Sequence, residues 1–279
     1  MTVHEFGDKS SPVLMLFPGT MCYWKGNFGH VIDRLAEKFL VAAVAYTGFD
    51  ESDSGSYISV EDELAKIEAY VQDHYHGAIR AAYGCSLGGT LVAQLAARHN
   101  IHMAYGIIGG SDLDQAGPFK AALLAGIMVK ATYSFIHTGK YSSKLMQKRF
   151  DRKMADPDPY NRAFVALTGR DKYDMSFITK ESLKNQFKSD LSTPLPEGID
   201  NGETEIHVFY AKKMGEKYLE RYKKHFKSPV IHELDMRHEE LLGVHPAEWC
   251  ALVEEICLQR QKPLSAGSTG KLYLREGSE

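Results

Sequence analysis

The stretch that decides the reading is Gly84-Cys85-Ser86-Leu87-Gly88-Gly89, set between a β-rich run over 79–83 and an Ala- and Leu-rich run over 90–98. Five residues of it match G-x-S-x-G, and the flanks predict a strand, a sharp turn and then a helix. On such a turn bulky neighbours clash, so glycines flank the serine and its hydroxyl projects from the strand end. The helix that starts behind Ser86 directs its free N–H groups and positive end to the same place.

Working outward, the first half of the chain alternates apolar runs with helical periodicity, the mark of βα units around a mostly parallel sheet flanked by helices. Residues 13–17 (Val-Leu-Met-Leu-Phe), 40–45, 79–83 and 101–108 read as buried strands. Val31, Ile32, Leu35 and Phe39 give one helix between them. Ser59-Val60-Glu61-Asp62 opens another as a capping box in its Asp form, expected to run to about His74. The rhythm then stops. From 113 to 201 only helical patterns are found, over 119–136, 143–154, 161–167 and 179–191, which reads as an inserted helical cap. Strand character resumes over 204–210 and 229–234, with a helix over 215–226 between them. A final helix opens at Pro246 with Trp249, Leu252, Val253 and Ile256 on its core stripe. The expected organisation is a core of residues 1–112 and 202–261, a cap over 113–201 and a flexible tail over 262–279.

Composition narrows the class. The 279 residues are 44% hydrophobic and 25% charged, with a net charge of -3, which leaves no basic footprint for nucleic acid. Cys22, Cys85, Cys250 and Cys257 are few, scattered and without a C-x-x-C pair, so reduced thiols in a cytoplasmic protein are expected. The first eleven residues lack the order of a secretory signal and read as mature protein. Residues 121–129 form the longest uncharged apolar stretch; it is half of a membrane span, contains Gly126, and reads as a buried helix, so no membrane span is expected.

Taken with Phe17-Pro18-Gly19-Thr20-Met21 after the first buried run and Asp235-Met236-Arg237-His238-Glu239-Glu240 near the C-terminus, the chain resembles the α/β-hydrolase fold superfamily, most closely its members with a helical cap. The resemblance implies a serine hydrolase of the esterase kind, cleaving a small carboxylic ester or related acyl bond without metal or organic cofactor. It makes Ser86 the nucleophile and His238 the base, with the backbone N–H groups of Thr20 and Leu87 as the oxyanion hole. Pro18 stands where such proteins usually carry His; a backbone donor tolerates that change.

The third member of a triad is less plain. The family position for the acid, at the end of a Y-G-x-x-D-like segment, aligns with Tyr210-Ala211-Lys212-Lys213-Met214, and Met214 cannot orient an imidazole. Asp112, after Gly109-Gly110-Ser111, is one substitute, Glu216 another, and a Ser-His dyad a third. Asp112 equally reads as a loop residue capping the next helix, and Glu216 as a first-turn glutamate favoured by the helix dipole.

Met128, Tyr133, Phe135, Tyr141, Met146, Phe150 and Phe164 either line an acyl pocket or form the cap's own core. Lys144, Lys148, Arg149, Arg152 and Lys153 either attract an anionic substrate or form a solvated face. The same site residues would serve an acyltransferase, thioesterase, amidase or peptidase. A ligand-binding protein without catalysis is the reading of another class, favoured by Met214. The expected partner is a small-molecule acyl substrate, with nucleic acid not expected and the oligomeric state left open by the sequence.

Overall fold

Seven strands build one sheet in the order β1-β3-β2-β4-β5-β6-β7, in a computed structural model that describes residues 1–113, 116–200 and 202–259. The expected tail over 262–279 lies outside the described residues. β2 (Val13–Phe17), β3 (Leu40–Ala45), β4 (Ala78–Gly84), β5 (His102–Ile108), β6 (Glu205–Ala211) and β7 (Val230–Leu234) run parallel. The expected strands are therefore present, within a residue or two at their ends.

One strand escaped the sequence reading. β1 (Thr2–Phe6) pairs antiparallel with β3, Thr2 opposite Ala45 and Phe6 opposite Val41, as an edge strand with one partner. Its residues are only half buried, so it lacks the continuous apolar run that marks a strand covered on both faces.

Helices α1 (Trp24–Ala36), α2 (Val60–Tyr75) and α3 (Leu87–Arg98) flank the sheet, followed after β6 by α8 (Glu216–His225), α9 (Glu240–Val244) and α10 (Pro246–Leu258). The side chain of Ser59 accepts from the N–H of Asp62 at the start of α2, as the capping pattern requires. Four helices separate β5 from β6: α4 (Pro118–Thr138), α5 (Lys144–Ala155), α6 (Pro159–Thr168) and α7 (Lys180–Ser192). α4 packs along α7, and α6 lies against α1 and α9.

The expectation that 121–129 forms a buried helix is overturned. Ala121, Ala125 and Val129 are buried, whereas Leu123 and Ile127 are each 58% exposed. Uniform apolarity in the sequence hides which face a helix turns inward. Among the ring clusters of this region, Phe135 stacks on Tyr141 at 4.9 Å and meets Phe150 at 5.2 Å, so these three form a local core between helices.

The sheet's central turn depends on missing side chains. A methyl group on Gly84 would stand 2.1 Å from the carbonyl carbon of Gly88, and one on Gly88 would stand 2.1 Å from the carbonyl oxygen of Phe17. Both obstacles are backbone, so they cannot swing aside. Gly88→Ala is expected to destabilise the protein by about 3 kcal/mol or more, at the upper end of overpacking costs; equilibrium denaturation in urea measures it.

Candidate active site

Ser86 sits between β4 and α3 with φ 50° and ψ −112°, a strained conformation for a residue with a Cβ. Three neighbours hold it there. The N–H of Cys85 donates to the carbonyl of Phe17 at 3.0 Å, and the N–H of Gly109, at the end of β5, donates to the carbonyl of Gly84 at 2.8 Å. The N–H of Ser86 itself donates to Glu239 Oε1 at 3.1 Å. This last contact spans the chain from the third helix to the residue after His238.

Glu239 is the residue that sequence reasoning missed. It is 7% exposed, its backbone is left-handed with φ 53°, and its other carboxylate oxygen accepts from the Tyr83 hydroxyl at 2.9 Å. One carboxylate thus ties the serine turn and strand β4 to the loop carrying His238. In sequence the only signal was an acidic residue beside a histidine, indistinguishable from a solvated one. Burial, then the Glu239 charge, pushes the Tyr83 hydroxyl and the Cys85 thiol far above their ordinary values. Cys85 is therefore a neutral thiol beside the serine.

His238 lies against the end of β5. A methyl group on Gly110 would come 2.8 Å from its Nδ1, so this face of the ring needs a glycine below it. Helix α6 braces the same loop: Tyr160 Oη donates to the carbonyl of His238 at 3.0 Å, and the Phe164 ring meets the imidazole edge-on at 6.0 Å. Arg237 bonds both oxygens of Asp158 and both of Glu240, and its guanidinium lies 4.0 Å over the Tyr160 ring. Hydrogen bonds from Arg237, with one from the N–H of Tyr160, hold Asp158 down to about 2.

A carboxylate depressed in this way contributes stability that is present above its unfolded value near 4 and lost as pH falls through about 2. The difference in thermal midpoint between the parent and Asp158→Asn is accordingly expected to be constant above about pH 5 and to shrink below about pH 4. A thermal melt series from pH 7 to pH 2 checks this.

The loop after β2 abuts the serine turn. A methyl group on Gly19 would lie 3.4 Å from Cys85 Sγ. The N–H of Gly19 donates to Asn27 Oδ1 at 3.1 Å and that of Met21 to Gln186 Oε1 at 2.6 Å, while the Thr20 hydroxyl donates to Asp190 Oδ2 at 2.6 Å. Gln186 and Asp190 are one turn apart on α7, so the inserted helices brace this loop as well as the histidine. Between two committed N–H groups, that of Thr20 has no acceptor among the described residues, and neither has that of Leu87 at the first position of α3.

Asp112 follows the β5 turn and its backbone carbonyl accepts from Arg221 at 2.6 Å; Glu216 is an exposed first-turn residue of α8. Among the described residues no carboxylate hydrogen-bonds the His238 ring, and no hydrogen bond joins that ring to Ser86 Oγ. No group of His, Cys, Asp and Glu that would hold a metal is found among them either.

No protein-family model matches the sequence, and no curated protein sequence is detectably similar to it. Solved structures do match. An alpha/beta hydrolase family protein from Desulfitobacterium hafniense superposes with a TM-score of 0.73 at 19% identity, over 91% of this chain and 99% of its own. A hydrolase from Pseudomonas aeruginosa PA01 gives 0.69 at 13% identity, over 92% and 94%. A carboxylesterase from the ammonia-oxidizing thaumarchaeon Nitrososphaera gargenis gives 0.67 at 13% identity, over 92% and 94%. With the strand order, the serine turn at the end of β4 and the histidine after β7, these matches establish that the chain has the α/β-hydrolase fold.

Proposed function

We propose that the protein is a serine hydrolase that cleaves a small carboxylic ester or related acyl bond through an acyl-enzyme. The observation that carries this reading is the strained backbone of Ser86 at the N-terminus of α3. Strain at a half-buried serine needs support from its surroundings, and here Glu239, Gly84 and Gly88 supply it. A protein that only bound a ligand would have no use for it.

In the mechanism, Ser86 Oγ attacks the acyl carbon while its proton passes to Nε2 of His238, the nitrogen remote from Gly110. The oxyanion is held by the N–H groups of Thr20 and Leu87, neither of which has another acceptor among the described residues. As the tetrahedral intermediate collapses, the bond to the leaving alkoxide breaks and His238 returns the proton to it. Water then attacks the acyl-enzyme, gives a proton to His238, and the serine leaves with that proton as the acid is released. The pair works as a dyad, its geometry set by Gly110, Tyr160 and Phe164 in place of a carboxylate.

Glu239 acts in this scheme as a positioning residue. Glu239→Leu strands the Ser86 N–H and the Tyr83 hydroxyl, at a cost of about 1–3 kcal/mol for each buried group left unpaired. The expected result is a fall in kcat of roughly 10–100-fold with KM little changed. Glu239→Gln keeps one acceptor oxygen and restores most of the rate. Steady-state kinetics on both variants separates this role from a purely structural one, which would lower the amount of folded enzyme and leave kcat per folded molecule intact.

The function itself is tested with short p-nitrophenyl esters and a fluorophosphonate probe. Hydrolysis and a covalent adduct on the peptide carrying Ser86 are the expected result; folded protein that neither turns over nor labels would overturn the proposal.

A further inference from the structure

Helix α4 (Pro118–Thr138) has the length and apolar composition to cross a membrane, yet one edge is fixed to the protein along α7 and its N-terminal half turns large apolar groups outward. Phe119 is 85% exposed, and Leu123 and Ile127 follow at four-residue spacing on the same face, with Ala122 and Gly126 exposed beside them. A contiguous apolar stripe of this kind marks an interaction surface.

The charges on α4 itself are of one sign. Within Pro118–Thr138 there is no acidic residue, and Lys120 and Lys130 are both exposed. The C-terminal half of α4 is joined to α5 through the Phe135, Tyr141 and Phe150 rings. α5 exposes Lys144, Lys148, Arg149, Arg152 and Lys153, none of which has an acidic partner among the described residues. Its one acidic residue, Asp151, accepts from Gln147. Leu145, 60% exposed, adds a further apolar group to this helix.

We infer that α4 and α5 form a docking surface for an anionic lipid bilayer. An apolar stripe with basic side chains on its own helix and more on the next has the two attractions that hold a helix in the interface plane, burial of apolar groups at the acyl boundary and attraction to negatively charged headgroups. A second copy of this chain fits the surface poorly, because symmetric pairing would set Lys120 and Lys130 against their own counterparts with five more cations alongside. Spanning is excluded by the packing of Ala121, Ala125 and Val129 against the rest of the protein. The inference does not depend on which bond Ser86 cleaves.

The test is co-sedimentation of the full chain with vesicles of phosphatidylcholine alone or with about three parts in ten phosphatidylglycerol. Expected are binding to the anionic vesicles at least about tenfold stronger than to the neutral ones, and its loss in about 0.5 M salt, where screening shortens to a few ångströms. Phe119→Ser with Leu123→Ser and Ile127→Ser should weaken binding to anionic vesicles by about tenfold or more. Lys148→Glu with Arg149→Glu should do the same without touching the stripe. All these positions are exposed, and an unchanged thermal midpoint shows that each variant is folded. Absence of wild-type binding, or binding untouched by both variants, overturns the inference. So does a dimer in light scattering that the serine variant dissolves in a protein with no affinity for vesicles.

Discussion

Ser86→Ala is expected to lower kcat for ester hydrolysis by on the order of 10⁴–10⁶-fold and to abolish fluorophosphonate labelling, while KM and the thermal midpoint stay close to those of the parent. The size follows from what is removed. Without Oγ there is no covalent intermediate, and the reaction falls back on water positioned by the oxyanion donors and the binding surface alone. Stability is expected to hold because alanine keeps the Cβ, and the bonds that fix the turn use backbone groups: the N–H groups of Ser86, Cys85 and Gly109 and the carbonyls of Phe17 and Gly84. Retained labelling in this variant would place the nucleophile elsewhere.

His238→Ala is the second large effect, expected at about 10³–10⁴-fold or more in kcat. Its comparison with the acid candidates is the informative part. A triad aspartate that sets the tautomer of its histidine is worth roughly 10⁴-fold when changed to asparagine. Because no carboxylate hydrogen-bonds this imidazole among the described residues, Asp112→Asn and Glu216→Gln are each expected to change kcat by less than about tenfold. A loss of orders of magnitude in either variant would show that a carboxylate reaches the ring during turnover and would replace the dyad with a triad. Measuring kcat and KM for all three variants on one ester decides the matter.

Much of the scaffold was legible because the decisive signals were local. The runs over 13–17 and 40–45 are apolar on both faces, which fits strands covered on both sides of a parallel sheet. The glycines at 84 and 88 announced a turn that tolerates no Cβ, and Ser59 announced a helix start through a bond to a residue three positions on. β1 was invisible because a half-buried edge strand of five residues carries too short and too mixed a pattern to stand out. The burial of α4 was misread because apolar residues all around a helix say nothing of which of them finds a neighbour.

By itself, then, the sequence determined the fold class and the order of the six parallel strands and the longer helices along the chain, and it singled out Ser86 and His238 as candidates. Each of these rests on patterns within about a dozen residues, set by backbone sterics and by the period of apolar side chains. Only the tertiary structure decided how the two halves of the site are joined. Glu239 reaches Ser86 across 153 positions, Asp190 reaches Thr20 across 170, and Tyr160 reaches the carbonyl of His238 across 78. Such contacts follow from packing the sheet and the inserted helices together, and a carboxylate facing water carries the same letter as one buried under a serine turn.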